Sequence, residues 1–349
     1  MIMPARTRMA RCVFPLFLAF SMVMPGMGVA AGPGESGARA APLRILAGPP
    51  GGQWNALGDA LAALLEKSGI PAVNEPGGGV ENLRLVGEGA ADIGFTLYSF
   101  MGAAGAGEAE LPRVERDDAL LLANLYPQVL YVIVRKDLSE RYGLRKLADL
   151  LRVTDPIRFA TLPRDTGSEF IFNMLLKSAY RTSYDKLTEQ GWDISFRSYA
   201  DITRLFLGGE LDVCAYTAGP GTYLIPALEE RNLDAVLIPI DDEILSLMTH
   251  QFMTITYVIE KGDYKSVDAD VPTLGDYSCL VVRADMPEDL VYDINKVLWD
   301  NRAELARVSG DMKHLSPRIA IAGQTTVHPG SLRFWNSPEM QALRNAGRR

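Results

Sequence analysis

Residues 43–67 read LRILAGPPGGQWNALGDALAALLEK, and this stretch decides the fold class. Leu43-Arg44-Ile45-Leu46-Ala47 is a short apolar run of strand length, and Gly48-Pro49-Pro50-Gly51-Gly52 breaks it. From Gln53 to Lys67, Leu57, Leu61, Leu64 and Leu65 recur at helical spacing, and Gly69 ends the helix. A second strand is expected over Ile70 to Asn74, a turn at Gly77-Gly78-Gly79, a helix from Val80 to Glu88, and a strand from Ala91 to Thr96. Strands alternating with helices of this length predict βαβ units and a mostly parallel sheet. Gly102 to Asp118, rich in Gly, Ala and acid, reads as a surface connection.

The pattern then restarts. Ile157 to Leu162 reads as a strand, Pro163 to Thr166 as a loop and Gly167 to Ala179 as a helix. Strands at Trp192–Phe196 and Leu211–Thr217 flank a helix at Ala200–Leu207, and another helix is expected from Pro220 to about Arg231. One more is expected over Pro287 to Val308. Two short patterns recur. Leu85-Val86-Gly87-Glu88 before Ala91-Asp92-Ile93 is echoed by Leu207-Gly208-Gly209-Glu210 before Leu211-Asp212-Val213. Val134-Arg135-Lys136-Asp137 is echoed by Val282-Arg283-Ala284-Asp285. Two similar α/β lobes joined by two connecting segments fit these echoes better than one large sheet. The expected division is lobe 1 from 43–130 with 241–349, and lobe 2 from 131–240.

The N-terminus reads as an address. Arg6, Arg8 and Arg11 precede the apolar run Cys12 to Met24, and small residues follow at Gly28-Val29-Ala30-Ala31. That order marks a secretory signal peptide over residues 1–30, cleaved near Ala30 or Ala31 with Ala40 as a second candidate. The run is shorter than the ~20 apolar residues of a spanning helix. A periplasmic location follows, in which Cys214 and Cys279 are free to pair. Both lie in apolar strand-like runs, so two unpaired core thiols are preferred over a bridge.

Composition narrows the function. With 48% hydrophobic and 22% charged residues, the chain is neither disordered nor a multi-span membrane protein. The net charge is −8, and the leader's three arginines leave −11 on the rest, which argues against general nucleic-acid binding. His250, His314 and His328 have no partner at metal-ligand spacing, and no nucleophile elbow, P-loop or Cys-x-x-Cys is present. His328-Pro329-Gly330 reads as a turn. No catalytic pair, metal or cofactor is nominated; Asp165 with Tyr98 is the one faint candidate for an enzyme.

What stands out is a set of helix starts directly after strands: Gly51-Gly52, Tyr98-Ser99, Thr166-Gly167-Ser168 and Thr217-Ala218-Gly219-Pro220. Each is expected to offer unpaired N–H groups and the positive end of a helix dipole. Ser99 and Thr166 are suited to capping, and Pro220 to a first helical turn. In open α/β sheets such termini meet beyond the carboxyl ends of the strands, where they hold a carboxylate without a basic side chain.

Leu46 to Gly58 resembles the first loop and helix of the TAXI solute-binding proteins, the extracytoplasmic receptors of one class of TRAP transporter. Gly78 to Leu85, Asn124-Leu125-Tyr126-Pro127, Thr166-Gly167-Ser168-Glu169, Thr217-Ala218-Gly219, Met286 to Tyr292 and His328-Pro329-Gly330 continue the resemblance in order, over about Leu43 to Trp335. It implies an α/β, two-lobed, periplasmic-binding-protein-like (type II) fold with a ligand cleft between the lobes. It further implies a monomeric receptor that captures a small carboxylate such as glutamate, glutamine or a 2-oxoglutarate-like acid, and delivers it to a TRAP-type membrane permease. The ligand contacts it implies are Gly51, Gly52, Gln53 and Trp54 in the first loop, Tyr98 and Ser99 after the third strand, and Asn124 and Tyr126 at the crossover. Thr166, Gly167, Ser168, Thr217, Ala218 and Gly219 follow on the second lobe.

The chain departs from the family pattern at Trp54-Asn55, at Thr96-Leu97-Tyr98 and at Arg164-Asp165. Arg164 is added to the candidate contacts, either gripping a second carboxylate or neutralising Asp165, with the second preferred. Trp54 is either an apolar wall or a core residue. A sensory module for a membrane kinase and, less favoured, a bilobal enzyme are the other readings.

Overall fold

The computed structural model describes residues 41–106, 118–164, 166–323 and 325–346. The expected signal peptide, most of the connection before Asp118, and Asp165 therefore lie outside the described residues. The first unit is β1 (Leu43–Leu46), α1 (Gln53–Lys67), β2 (Ala72–Glu75), α2 (Gly79–Gly87), β3 (Ile93–Leu97) and α3 (Tyr98–Ala106). The long strand β4 (Ala119–Arg135) leads to α4 (Lys136–Tyr142) and α5 (Leu147–Leu150). The second unit is β5 (Arg158–Thr161), α6 (Gly167–Met174), α7 (Tyr184–Glu189), β6 (Asp193–Phe196), α8 (Tyr199–Leu207), β7 (Val213–Ala218) and α9 (Leu224–Glu230). Next come β8 (Ala235–Leu237), α10 (Asp242–Phe252), β9 (Ile255–Ile259) and a second long strand, β10 (Val271–Arg283). Helices α11 (Glu288–Asp300), α12 (Arg302–Val308), α13 (Pro329–Trp335) and α14 (Pro338–Ala346) close the chain.

The strands run in the order β2-β1-β3-β10-β4-β7-β5-β6, with β8 beside β4 and β9 beside β10. Parallel pairs sit at both ends, β1 with β2 and β3, and β5 with β6 and β7. The two long strands in the middle are antiparallel to each other and to their neighbours. Two βαβ units, each completed by one long strand arriving from the other, make the two-lobed α/β fold. The crossing lies where Gln128 faces Asp276 and Val129 faces Gly275.

Hydrogen bonds explain the two sequence echoes. Arg44 N donates to Asp92 Oδ2 at 2.8 Å, and Arg158 N donates to Asp212 Oδ2 at 2.9 Å. Arg283 N donates to Asp92 O at 3.2 Å, and Arg135 N donates to Asp212 O at 3.0 Å. The acid two residues past the end of each long strand, Asp285 or Asp137, pairs with the same arginine at 3.2 Å. Each lobe therefore pins its first strand, β1 or β5, and its incoming long strand on one aspartate, placed where a helix hands over to a strand. One apolar cluster joins α1, α11 and α13 around Ile45, Leu61, Ile294 and Trp335. Another gathers Ile133, Cys214, Phe206, Ile259 and Tyr264. Cys214 and Cys279 are free and fully buried.

Four local expectations change. Gly102 to Ala104 are buried in α3 rather than in a surface loop, because small residues let this helix touch α10. A Cβ at Gly102 would lie 2.6 Å from Phe252 O. The helix expected over 287–308 is interrupted at Asn301, whose Nδ2 bonds back to Val297 O at 2.8 Å. His328 is not in a simple turn but caps α13, its Nδ1 accepting from Gly330 N at 3.1 Å. The helix expected from Pro220 begins at Leu224, since Gly221 takes a left-handed φ of 91°.

Candidate functional site

Two helix starts from opposite units open on one cavity. The loop after β1 brings Gly48, Gly52, Gln53 and Trp54 to one wall, and the loop after β5 brings Thr166, Gly167 and Ser168 to the other. The enclosed volume is about 450 Å³, within the range of small-molecule sites. At the start of α6, Thr166 accepts from Glu169 N, and Phe170 N bonds Thr166 O at 2.9 Å. The amides of Gly167 and Ser168 are left without a protein acceptor among the described residues, as the geometry of a helix start requires. Gly52 gives α1 no side-chain cap, so the first amides of that helix are likewise open. Ser168 Oγ accepts from Thr217 N at 2.7 Å, tying α6 to the end of β7.

Trp54 combines both readings of its role. It lines the cavity, and its Nε1 donates to Ser278 Oγ at 2.8 Å and to Tyr126 OH at 3.2 Å. Its ring centroid lies 6.0 Å from that of Phe95. Tyr126 supports the tryptophan from below rather than facing the cavity, and burial pushes its phenol up to about 12. Thr217 lines the cavity; Ala218 and Gly219 line a side extension of about 280 Å³ reached past Gln53, Gln128 and Tyr199.

Other candidates stand away from the cavity. Gly51 is exposed in a left-handed turn, with a φ of 80°. Tyr98 is buried, its hydroxyl accepting from Thr325 N at 2.8 Å. Ser99 is buried as well, and the start of α3 is occupied from within: Asp276 Oδ1 accepts from Ser99 N at 3.0 Å and Oδ2 from Ser99 Oγ at 2.5 Å. Asn124 spends its amide group on Ile319 O and Ala322 O, both at 2.9 Å. Arg164 is exposed and stacks on aromatic faces, 4.3 Å from the Phe196 centroid and 5.6 Å from that of Tyr184.

Several lining residues carry no mark in the sequence. Leu97, the last residue of β3, and Leu162, just past β5, line the cavity, and Gln128 reaches it from the middle of a long strand. Gly77, Gly78 and Gly79, expected as a turn, lie on the wall beside Trp54. Asp311 enters the side extension from a short 3-10 turn, Gly310–His314. Tyr199 was within reach of the helix-start rule. It follows Ser198, which caps α8 by accepting from Asp201 N at 3.1 Å, and its hydroxyl donates to Thr217 O at 2.6 Å. No group of His, Cys, Asp and Glu able to hold a metal occurs among the described residues, and no described helix is long and apolar enough to cross a membrane.

A family model described as NMT1-like matches residues 45–337, taking in both units and every part of the cavity. The chain belongs to the NMT1-like family. Among solved structures it is similar to a TctC solute-binding protein from Polaromonas, with 14% identity over 87% of this chain and 98% of that one and a TM-score of 0.47. It is also similar to MatC from Rhodopseudomonas palustris with bound malate, with 15% identity, the same coverages and a TM-score of 0.47. A third likeness is an amino acid ABC transporter substrate-binding protein from Streptococcus pneumoniae bound to L-arginine. There the identity is 13% over 78% of this chain and 92% of that one, with a TM-score of 0.38. These are likenesses of chain architecture.

Proposed function

We propose that this member of the NMT1-like family is a secreted, periplasmic solute-binding protein that captures a small carboxylate and presents it to a TRAP-type membrane permease. One observation carries the reading: unpaired amides at the starts of α1 and α6, from opposite lobes, face a single cavity with no basic side chain on its described walls. A carboxylate at the start of α6 would satisfy the amides of Gly167 and Ser168 and sit at the positive end of the helix dipole. The Thr166 loop, Gly52, Gln53, Trp54 and Thr217 are the contacts in this reading, Ala218 and Gly219 flank it in the side extension, and Arg164 is not among them.

The lobes move about β4 and β10, the two strands that pass between them. Lobe 1 is 43–130 with the C-terminal part of the chain. Lobe 2 is 131–240 together with β9 and the first half of β10, because Ile259, Tyr264 and Val267 pack with Ile133 and Cys214. Closing them around the solute brings the two helix starts to opposite sides of the acid, so affinity depends on the energy gap between open and closed states.

A thermal-shift screen of the mature chain against amino acids and organic acids tests the reading, since a ligand of the folded state raises the melting temperature. Thr166→Glu sets a negative charge at the start of α6, and calorimetry should show the hit bound at least about tenfold more weakly. A screen without any stabilising acid, or unchanged affinity in Thr166→Glu, refutes it.

A further inference from the structure

The walls of the cleft narrow the solute, given the solute-binding reading above. Trp54, Leu97, Leu162 and Tyr199 present indole, two isobutyl groups and a phenol to the main cavity. Among the described residues lining the cavity and its side extension, none is Lys, Arg or His, and Asp311 alone carries a charge. Asp311 is half-buried. Its Oδ2 accepts from Gln53 Nε2 at 3.1 Å, and it has no ion-pair partner among the described residues. The carboxylate leans across from the C-terminal turn onto the end of β7, where a Cβ at Gly219 would come within 2.1 Å of Oδ1. With one carboxylate at α6, a solute that reaches into the side extension with a second would set that charge beside Asp311, where no described lining residue is basic. Desolvating an unpaired charge there is costly. A single carboxylate with an apolar body meets donors at α6 and matching walls beyond them. An ammonium group on the same solute would give Asp311 the cation it lacks.

We propose that the cleft selects a net-neutral amphipathic acid, with its carboxylate at the start of α6, its apolar body among Trp54, Leu97, Leu162 and Tyr199, and its amino group toward Asp311. Asp311 is the specificity-determining residue: it admits the amino acid and turns away dicarboxylates by like charge.

The test is calorimetry on the mature wild-type chain and on Asp311→Asn and Asp311→Glu. The probes are L-phenylalanine, L-leucine, 3-phenylpropanoate, L-glutamate and 2-oxoglutarate. Wild type should bind L-phenylalanine or L-leucine at least about tenfold more tightly than either dicarboxylate, the scale of one charge-assisted hydrogen bond. Asp311→Asn should weaken the amino acid by about tenfold while leaving 3-phenylpropanoate, which lacks the amino group, unchanged or tighter. Asp311→Glu keeps the charge and should keep the ranking. Tighter binding of L-glutamate or 2-oxoglutarate, or an amino acid indifferent to Asp311→Asn, overturns this inference while leaving carboxylate capture intact. Failure of all five probes also overturns it, and a further failure of the broad acid screen brings down the solute-binding reading as well.

Discussion

Asp276 is the sharpest place to perturb this fold. It lies on β10 where the long strands cross, is 1% exposed, and serves as the cap of α3 through Ser99. Burial pushes its carboxyl up to about 7 from an ordinary 3.8, against hydrogen bonds from Ser99 and Tyr277 that pull it down. The folded chain therefore holds this proton more tightly than the unfolded chain does. Its contribution to stability falls as pH rises from 3.8 toward about 7, and the loss is complete above that. At about 1.4 kcal/mol per pH unit, the gap from 3.8 to about 7 sets a ceiling of about 4 kcal/mol. Asp276→Asn replaces the carboxylate with a neutral group that still accepts from Ser99 N and donates to Ser99 Oγ. Variant and wild type should be nearly equal at pH 4 and diverge as pH rises. For a chain of this size about 2 °C in Tm accompanies each kcal/mol, so the variant should melt up to roughly 8 °C higher at pH 8. Differential scanning calorimetry of both proteins across pH 4 to 8 reads the difference directly and cancels the titration of every other group. A pH-independent difference, or a variant less stable at pH 8, would refute the reasoning.

Other expectations follow from single contacts. Gly102→Ala drives a methyl into Phe252 O, 2.6 Å away, and chemical denaturation should show a loss of about 1–3 kcal/mol as α3 and α10 are forced apart. A loss under 0.5 kcal/mol would mean the helices separate freely. Ser168→Ala leaves the buried Thr217 N–H without its acceptor, and a destabilisation of about 1–3 kcal/mol should appear in the same assay. Burial pushes both Cys214 and Cys279 well above the usual thiol range. A thiol reagent should therefore find neither in the native mature chain and both after denaturation; rapid native labelling would contradict their burial.

The alternation of strand and helix, and the division into two like units, were legible in the sequence because both rest on local chemistry. Leu57, Leu61, Leu64 and Leu65 place their side chains on one face of α1 wherever that helix is packed. The aspartate that follows α2 and α8 recurs because, at the head of each next strand, it accepts from a backbone amide of the neighbouring strand. The Thr166 loop was legible for the same reason, since a threonine cap bonds an amide three residues away. The end of α3 was not. Its glycines and alanines look like a loop until Phe252 is set against them, and that contact spans 150 residues of chain.

What the sequence by itself determined is therefore local: the alternation of strands and helices within each unit, the threonine cap that begins α6, and that two similar halves are built. Tertiary structure alone decided which open starts matter. It closed the start of α3 with Asp276, moved the start of α9 past Gly221, left α1 and α6 facing one cavity, and brought Gln128, Tyr199 and Asp311 to it. The physical reason is range. Periodicity and capping act within a few residues, whereas a cleft forms where distant segments meet, and Asp311 reaches Gln53 only because two long strands carry the chain across and back.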